Sequence, residues 1–154
     1  MAKTEISALG EFGLIKHLTN DIKPVQPSTQ KGIGDDAAVL NFGAQRTLVT
    51  TDLLLEGIHF NLEYAPLKHL GYKAAVVNFS DIYAMNGTPT QITVSLGISK
   101  RFSVEDLEEL YAGIRLACER YNVDLVGGDT SASMTGLTIS ITCLGTAYDS
   151  DIVF

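Results

Sequence analysis

Four short segments of the chain set an aspartate among Gly, Ser, Thr or Asn: Gly32-Ile-Gly-Asp-Asp36, Thr50-Thr-Asp52, Asn78-Phe-Ser-Asp81 and Gly127-Gly-Asp-Thr130. Each falls where one element is expected to give way to another. Hard carboxylate and hydroxyl oxygens suit Mg2+, which keeps part of its water shell and is commonly held by a few carboxylates while substrate phosphates supply the remaining ligands. The pattern points to phosphate chemistry assisted by a divalent cation. Asp81 is the most informative of the set. Leu70, Ala74, Val77, Asp81 and Ala84 recur at three and four residues, which predicts a helix from Leu67 to about Met85 with Asp81 on its core-facing stripe. A carboxylate in that position is costly unless it is paired or metal-bound, and Lys68 and Lys73 lie two or more turns away. If nothing pairs with it, Asp81→Ala should stabilise the metal-free protein. Asn78, one turn earlier, is placed to orient Asp81 or a bound water.

The other segments are weaker taken singly. Gly32-Ile-Gly-Asp-Asp-Ala37 spells the dinucleotide fingerprint G-x-G-x-x-A, but a polar loop precedes it and a strand follows, the reverse of what that fingerprint requires. In an extended segment only one of Asp35 and Asp36 can face a site. Thr50-Thr51-Asp52 closes a strand, where ligand sites of α/β folds gather, although a turn acid would look the same. Gly127-Gly-Asp-Thr130 follows a short apolar strand, and its paired glycines allow backbone amides to approach a phosphate. A capped glycine turn is the plainer reading. The sequence contains no G-x-x-x-x-G-K-S/T loop, and neither the H-R-D nor the D-F-G element of a protein kinase. Of the histidines, His17 and His69 fall on predicted helices, whereas His59 follows Asp52 by one loop and could reach a phosphate.

These groups must be positioned by a chain of 154 residues, 45% hydrophobic, with 14 glycines and a net charge of −7. That is one ordinary domain able to bury a core. The acidic balance argues against a nucleic-acid binder, and an acidic protein that binds anionic nucleotides needs metal to bridge them. Cys118 and Cys143 lie in apolar stretches and read as buried thiols of a reducing compartment. The first residues have no apolar signal segment, and no apolar run approaches the ~20 residues of a membrane span. A soluble cytoplasmic protein is expected, without nucleic-acid or membrane partners.

The predicted elements are a first helix over Glu11 to Leu18, a loop from Lys23 to Lys31, and a hairpin of strands Ala37 to Phe42 and Thr47 to Asp52 turning at Gly43-Ala-Gln. A mixed connection, Leu53 to Pro66, leads to the Leu67 helix, which Asn86-Gly-Thr-Pro89 should stop. A strand over Gln91 to Ile98 follows, then a long helix capped by Ser103, with Glu105 and Asp106 in its first turn. Its buried face should be Leu107, Leu110, Tyr111, Ile114, Cys118 and Tyr121. Val123 to Val126 and Leu137 to Tyr148 complete the strands, and Asp149-Ser-Asp-Ile-Val-Phe154 looks like the start of another. The expected class is α/β (α+β), a mixed sheet covered by helices mainly on one face. The chain reads as a domain cut from a longer one.

Taken in order, Gly32-Ile-Gly-Asp-Asp-Ala-Ala-Val-Leu40, Thr50-Thr-Asp-Leu-Leu-Leu-Glu-Gly-Ile-His-Phe60, Gly71-Tyr-Lys-Ala-Ala-Val-Val-Asn-Phe-Ser-Asp-Ile-Tyr-Ala-Met85 and Val126-Gly-Gly-Asp-Thr130 resemble the thiamine-monophosphate kinase family. Leu9-Gly-Glu-Phe-Gly-Leu-Ile15 also resembles that family's first helix. The family is a relative of aminoimidazole ribonucleotide synthetase, selenophosphate synthetase and a hydrogenase maturation factor. The resemblance implies an aminoimidazole ribonucleotide synthetase-like N-terminal domain over residues 1–154 that binds ATP and several Mg2+ ions and lacks a C-terminal domain. It further implies a homodimer whose sheets pair as a barrel. It assigns Asp36, Asp52, Asp81 and Asp129 to magnesium with Thr50 and Thr51 assisting, Gly128, Asp129 and Tyr111 to ATP, and His59 to thiamine monophosphate.

The implied reaction is direct transfer of the ATP γ-phosphoryl group to thiamine monophosphate, giving thiamine diphosphate, with no protein nucleophile. The 154 residues alone should turn over poorly. Two other readings are an ATP-dependent synthetase of the same superfamily acting on a purine precursor, and a non-catalytic nucleotide-binding dimerisation domain. The Glu-Gly-Ile-His-Phe motif favours the kinase. Tyr83 and Asn86-Gly87 depart from the family's small residues and leave the local loop shape open.

Overall fold

The computed structural model describes residues 29–31, 35 and 37–154. The expected helix over Glu11 to Leu18 lies outside them. The described elements are β1 (Thr29–Lys31), β2 (Ala38–Asn41), β3 (Arg46–Leu55), α1 (Leu67–Ala84), β4 (Thr88–Ile98), α2 (Val104–Tyr121), β5 (Asp124–Ala132) and β6 (Leu137–Ala147). The strands form one six-stranded mixed sheet in the order β1-β2-β3-β6-β4-β5, antiparallel except for the parallel β4–β5 pair.

β6 shows why the sheet is one-sided. Leu137, Ile139, Ile141, Cys143, Gly145 and Ala147 are buried at every second position, while Thr138, Ser140, Thr142, Leu144 and Thr146 on the other face are half-exposed. A pleated strand sends alternate side chains to opposite faces, so apolar and polar sets this regular place one face under the helices and leave the other open. Ile92, Val94 and Leu96 of β4 and Leu48 and Leu54 of β3 extend the apolar layer. α1 and α2 pack over it, as the sequence predicts.

α2 begins with a capping box in which Ser103 accepts from the Asp106 amide and the Asp106 carboxylate accepts from the Ser103 amide. It ends at Asn122, a left-handed residue whose amide bonds back to the Cys118 carbonyl. α1 has no side-chain cap at Pro66 and depends on packing. The two helices meet backbone to backbone, and glycines make that possible. A Cβ on Gly113 would stand 1.8 Å from the Lys68 carbonyl oxygen, and one on Gly71 would stand 2.0 Å from that of Leu110.

Several expectations are corrected. The end of the Lys23 to Lys31 loop is β1, which joins the sheet by pairing with β2. The helix stops before Asn86-Gly-Thr-Pro89 as expected, but the next strand starts at Thr88 rather than Gln91 and takes in Pro89 at a register shift opposite Gly145, a bulge position where its missing N–H is tolerated. The buried stripe of α1 is Leu70, Gly71, Ala74, Ala75, Asn78, Phe79 and Ile82, so Val77 and Asp81 lie at its margin and Ala84 is exposed.

β5 is longer than Val123 to Val126 and exposed along its whole length, and it takes in Gly127 to Thr130, which are strand rather than turn. Asp149 to Phe154 form a turn and coil, not a strand. That tail is tied down by Asp149, which accepts from Arg46 Nε at 3.0 Å and Gln30 Nε2 at 2.9 Å, and by the Val153 amide on the Met85 carbonyl. The family departures settle here too. Asn86 takes a left-handed φ of 56° after α1, a conformation asparagine tolerates, and its side-chain amide holds the Asp151 carbonyl at 2.8 Å. Tyr83 packs against Tyr121.

Candidate metal and phosphate site

The ladder between β2 and β3 ends at Ala38 and Val49, and β3 then continues to Leu55 paired with β6 on its other side. Past that ladder end, the helix-facing positions of β3 are Thr50, Asp52 and Leu54. Two of the three are polar, and α1 supplies their partners. The Thr50 hydroxyl donates to Asp81 Oδ2 at 2.8 Å. The Asp52 amide donates to Asn78 Oδ1 at 3.1 Å, and Asn78 Nδ2 donates to the Ala74 carbonyl at 3.0 Å. Asn78 is 0% exposed and uses both ends of its amide to fasten helix to strand. Asp52 and Asp81, two residues along β3 from Thr50 and one turn along α1 from Asn78, therefore flank one corner.

The electrostatics of that corner favour a cation. Burial pushes the Asp52 carboxyl above the ordinary carboxylate range, and His59 opposes the shift. Cys143, paired with Thr50 across β3 and β6, has its thiol pushed up to about 12, first by burial and then by the negative charge of Asp81. The negative charge of Asp81 is thus felt one strand away, at Cys143.

For Asp52 the sign follows directly. Its folded pKa is raised, so the folded state binds the proton more tightly, and the associated stability is present at low pH and lost as pH rises through the raised pKa. Asp52→Asn is therefore expected to melt at the same temperature as wild type or higher at pH 7 without ligand. If the corner takes Mg-ATP, that ligand should raise the melting temperature of the wild type and not that of the variant. Thermal melts with and without Mg-ATP check both, and a variant that melts much lower without ligand would contradict this electrostatic account.

His59 sits on a turn at the end of β3. Its amide donates to the Leu55 carbonyl at 2.9 Å, and its ring Nδ1 accepts the Leu55 amide at 3.0 Å. An acceptor Nδ1 assigns the ring proton to Nε2, which leaves the exposed side chain a hydrogen-bond donor. Gly57 takes φ +79° to make the turn. Glu56 anchors the turn from below, since one carboxylate oxygen accepts the Leu137 amide at 2.8 Å and the other pairs with Arg101. The Arg101 hydrogen bond is the main reason its carboxyl lies below the ordinary range. Sequence reading missed Glu56 and Arg101, which are 45 residues apart and share no periodicity.

The remaining candidates are scattered. Asp36 lies outside the described residues, while its neighbour Asp35 is ion-paired with Lys31. Thr51 projects to the opposite face from Thr50 and Asp52, and its hydroxyl donates to the Ile141 carbonyl and accepts from Thr142. Tyr111 is half-buried on α2, packed on the core.

Asp129 pairs by register with Ser95, and Gly128 with Val94. Gly128 lies so close to β4 that a Cβ would stand 1.9 Å from the Val94 carbonyl oxygen, which explains the glycine. Asp52, Ile141, Val94 and Gly128 form one cross-strand row, and Leu53, Ser140, Ser95 and Asp129 form the next, which faces the open side. Asp129 is thus three strand spacings, roughly 14 Å, from Asp52 and on the other face. Among the described residues no three His, Cys, Asp or Glu side chains converge as a metal site. Two carboxylates with an adjoining hydroxyl nevertheless fit Mg2+, whose other ligands are commonly water and substrate phosphate.

The N-terminal domain of AIR synthase related protein matches residues 34–147. The thiamine-monophosphate kinase of Aquifex aeolicus is 38% identical over 128 residues, which are 83% of this chain and 40% of the relative. That of Bacillus subtilis is 36% identical over 139 residues, 89% of this chain and 42% of the relative. A solved structure of AaThiL complexed with AMPPCP and TMP superposes with a TM-score of 0.84 at 34% identity, covering 96% of this chain and 45% of that one. The chain thus spans about 40% of the length of these curated relatives.

Proposed function

Because the chain belongs to the AIR synthase related family, through that family's N-terminal domain, we propose that it is the ATP-binding domain of a kinase that phosphorylates thiamine monophosphate to thiamine diphosphate. The Thr50 bond to the Asp81 carboxylate and the Asn78 bond to the Asp52 amide carry the reading, since they set both aspartates on one corner near an exposed His59. Phosphoryl transfer needs positioning and neutralisation of charge on the transferring group more than it needs a protein nucleophile. The curated relatives covered by this chain are thiamine-monophosphate kinases, and a neighbouring structure holds an ATP analogue together with TMP.

In this reading Asp52 and Asp81 hold Mg2+, with Asp36 completing the set. Thr50 orients the Asp81 carboxylate, and Asn78 fixes the strand against the helix. Bound magnesium would neutralise the phosphates of ATP. His59 donates from Nε2 to the acceptor phosphate, and Tyr111 and Gly128 lie against ATP. Thr51, turned to the other face, lines the sheet surface.

Asp129 is too distant to share an ion with Asp52 of its own copy. In the proposed homodimer two open sheet surfaces face each other, which would set Asp129 at the interface, apart from the Asp52–Asp81 corner. The hydroxyl-bearing pairs Thr93–Thr142 and Ser95–Ser140 and the exposed Leu53 suit such a surface. Further segments, a second domain among them, would complete the acceptor pocket, and the protein would work in the cytoplasm without nucleic acid or membrane.

The test is 31P NMR of the full-length parent with Mg-ATP and thiamine monophosphate, beside a control lacking acceptor. Thiamine diphosphate formed in step with ADP supports the proposal. ATP consumption without that product, or no consumption, overturns it.

A further inference from the structure

The geometry points to Lys73 as the residue that reads the charge of the acceptor's phosphate. This rests on the kinase reading above and names a specificity residue within it. Lys73 lies on α1, and its Nζ donates to the carbonyl oxygen of His59 at 3.3 Å. That single contact places the ammonium at the turn whose ring presents Nε2–H. An ammonium has three donors, and this bond uses one.

α1 acts as a ruler for the site. Lys73 is about 7 Å along the helix axis from Asn78 and about 12 Å from Asp81 at ~1.5 Å per residue. One end of the corner therefore carries the Asp52 and Asp81 carboxylates, and the other carries His59 and Lys73. A phosphate monoester bears a charge of about −1.5 to −2 at neutral pH. The Asp52–Asp81 end repels it until a cation is bound. His59 offers a ring N–H from Nε2. Arg101 is committed to Glu56. Lys73 is the lysine held at the His59 turn, and its exposed side chain leaves two donors for the incoming anion.

Two consequences follow. Lys73 should favour acceptors that already carry a phosphate over the unphosphorylated alcohol. Its contribution should also be confined to the acceptor, because ATP phosphates are met at the other end of the corner.

The experiment uses the full-length protein with Lys73→Met and Lys73→Arg. Lys73→Met is expected to raise KM for thiamine monophosphate on the order of 10- to 100-fold, as loss of a charge-assisted hydrogen bond does, with KM for ATP within about twofold of wild type. Inhibition by unphosphorylated thiamine should be unchanged, and Lys73→Arg should recover part of the loss. Calorimetric titration of thiamine monophosphate in the presence of Mg-AMPPCP should show the same weakening without turnover.

A Lys73→Met enzyme with wild-type KM for thiamine monophosphate overturns the inference. So does one whose acceptor and ATP constants worsen together with a lowered melting temperature, since that marks Lys73 as a structural tie of the turn. Wild-type protein that makes no thiamine diphosphate is a different result and removes the kinase reading itself.

Discussion

Asp81→Asn in the full-length protein is expected to reduce Mg-ATP-dependent phosphoryl transfer by about a thousandfold or more, while shifting folding stability by less than about 1 kcal/mol. The amide keeps the shape of the carboxylate and can still accept the Thr50 hydroxyl, so the local hydrogen bond survives. The negative charge that would hold magnesium does not. Steady-state kinetics beside a denaturant titration separate the two effects. Activity within tenfold of wild type would remove Asp81 from the site.

Asp81→Ala is expected to be near neutral in stability rather than stabilising, and thermal melts without ligand check it. The carboxylate accepts from Thr50, which is only 7% exposed, so truncation leaves a buried hydroxyl without this acceptor. That costs ~1–2 kcal/mol and offsets relief of the charge.

The second large effect lies away from the chemistry. Gly113→Ala should destabilise the domain by roughly 3 kcal/mol, at the upper end of what overpacked sites cost, because the new methyl would overlap the Lys68 carbonyl at 1.8 Å. Backbone cannot yield as a side chain would, so the helices must part. Their separation would move α1 relative to β3 and disturb the Asn78 clasp on Asp52. At roughly 2–4 °C per kcal/mol for a domain of this size, the melting temperature should fall by about 6–12 °C. A scanning calorimetry trace within about 2 °C of wild type would show that the helix contact has more room than the structure gives it.

Much of this architecture is legible because periodicity and burial agree. The run from Leu137 alternates through Leu137, Ile139 and Ile141, and it forms an inner strand of the sheet. Ser103 with Asp106 announces its helix, and the structure closes the capping box between them. The helix carrying Asp81 was found with its bounds nearly right, yet its buried face was rotated. Ala75, Phe79 and Ile82 bury as well as Leu70 and Ala74, and a stripe chosen at three- and four-residue spacing did not anticipate so broad a face.

Asn86-Gly-Thr-Pro89 ended its helix as expected, but strand bounds were misread where tertiary pairing extended them. Pro89 entered a strand through a bulge, and Gly127 to Thr130 became edge strand because β4 offers them a partner. For the site, the corner of Thr50, Asp52, Asn78 and Asp81 was visible as types and spacing. Three things were not. Thr51 turned to the other face because adjacent strand residues must. Asp129 ended three strands away because sheet order is not written locally. Glu56, Arg101 and Lys73 acquired their roles through contacts spanning 14 to 81 residues of chain, which no local pattern encodes.

The central claim is that metal and nucleotide phosphate meet between β3 and α1. The most direct test is a crystal of the full-length protein grown with Mn2+ in place of Mg2+ and a non-hydrolysable ATP analogue, with the manganese located by anomalous scattering. The account predicts a peak at metal–ligand distance, roughly 2 Å, from carboxylate oxygens of Asp52 and Asp81, with the γ-phosphate side of the analogue directed toward His59. Manganese bound elsewhere, away from both carboxylates, would contradict it.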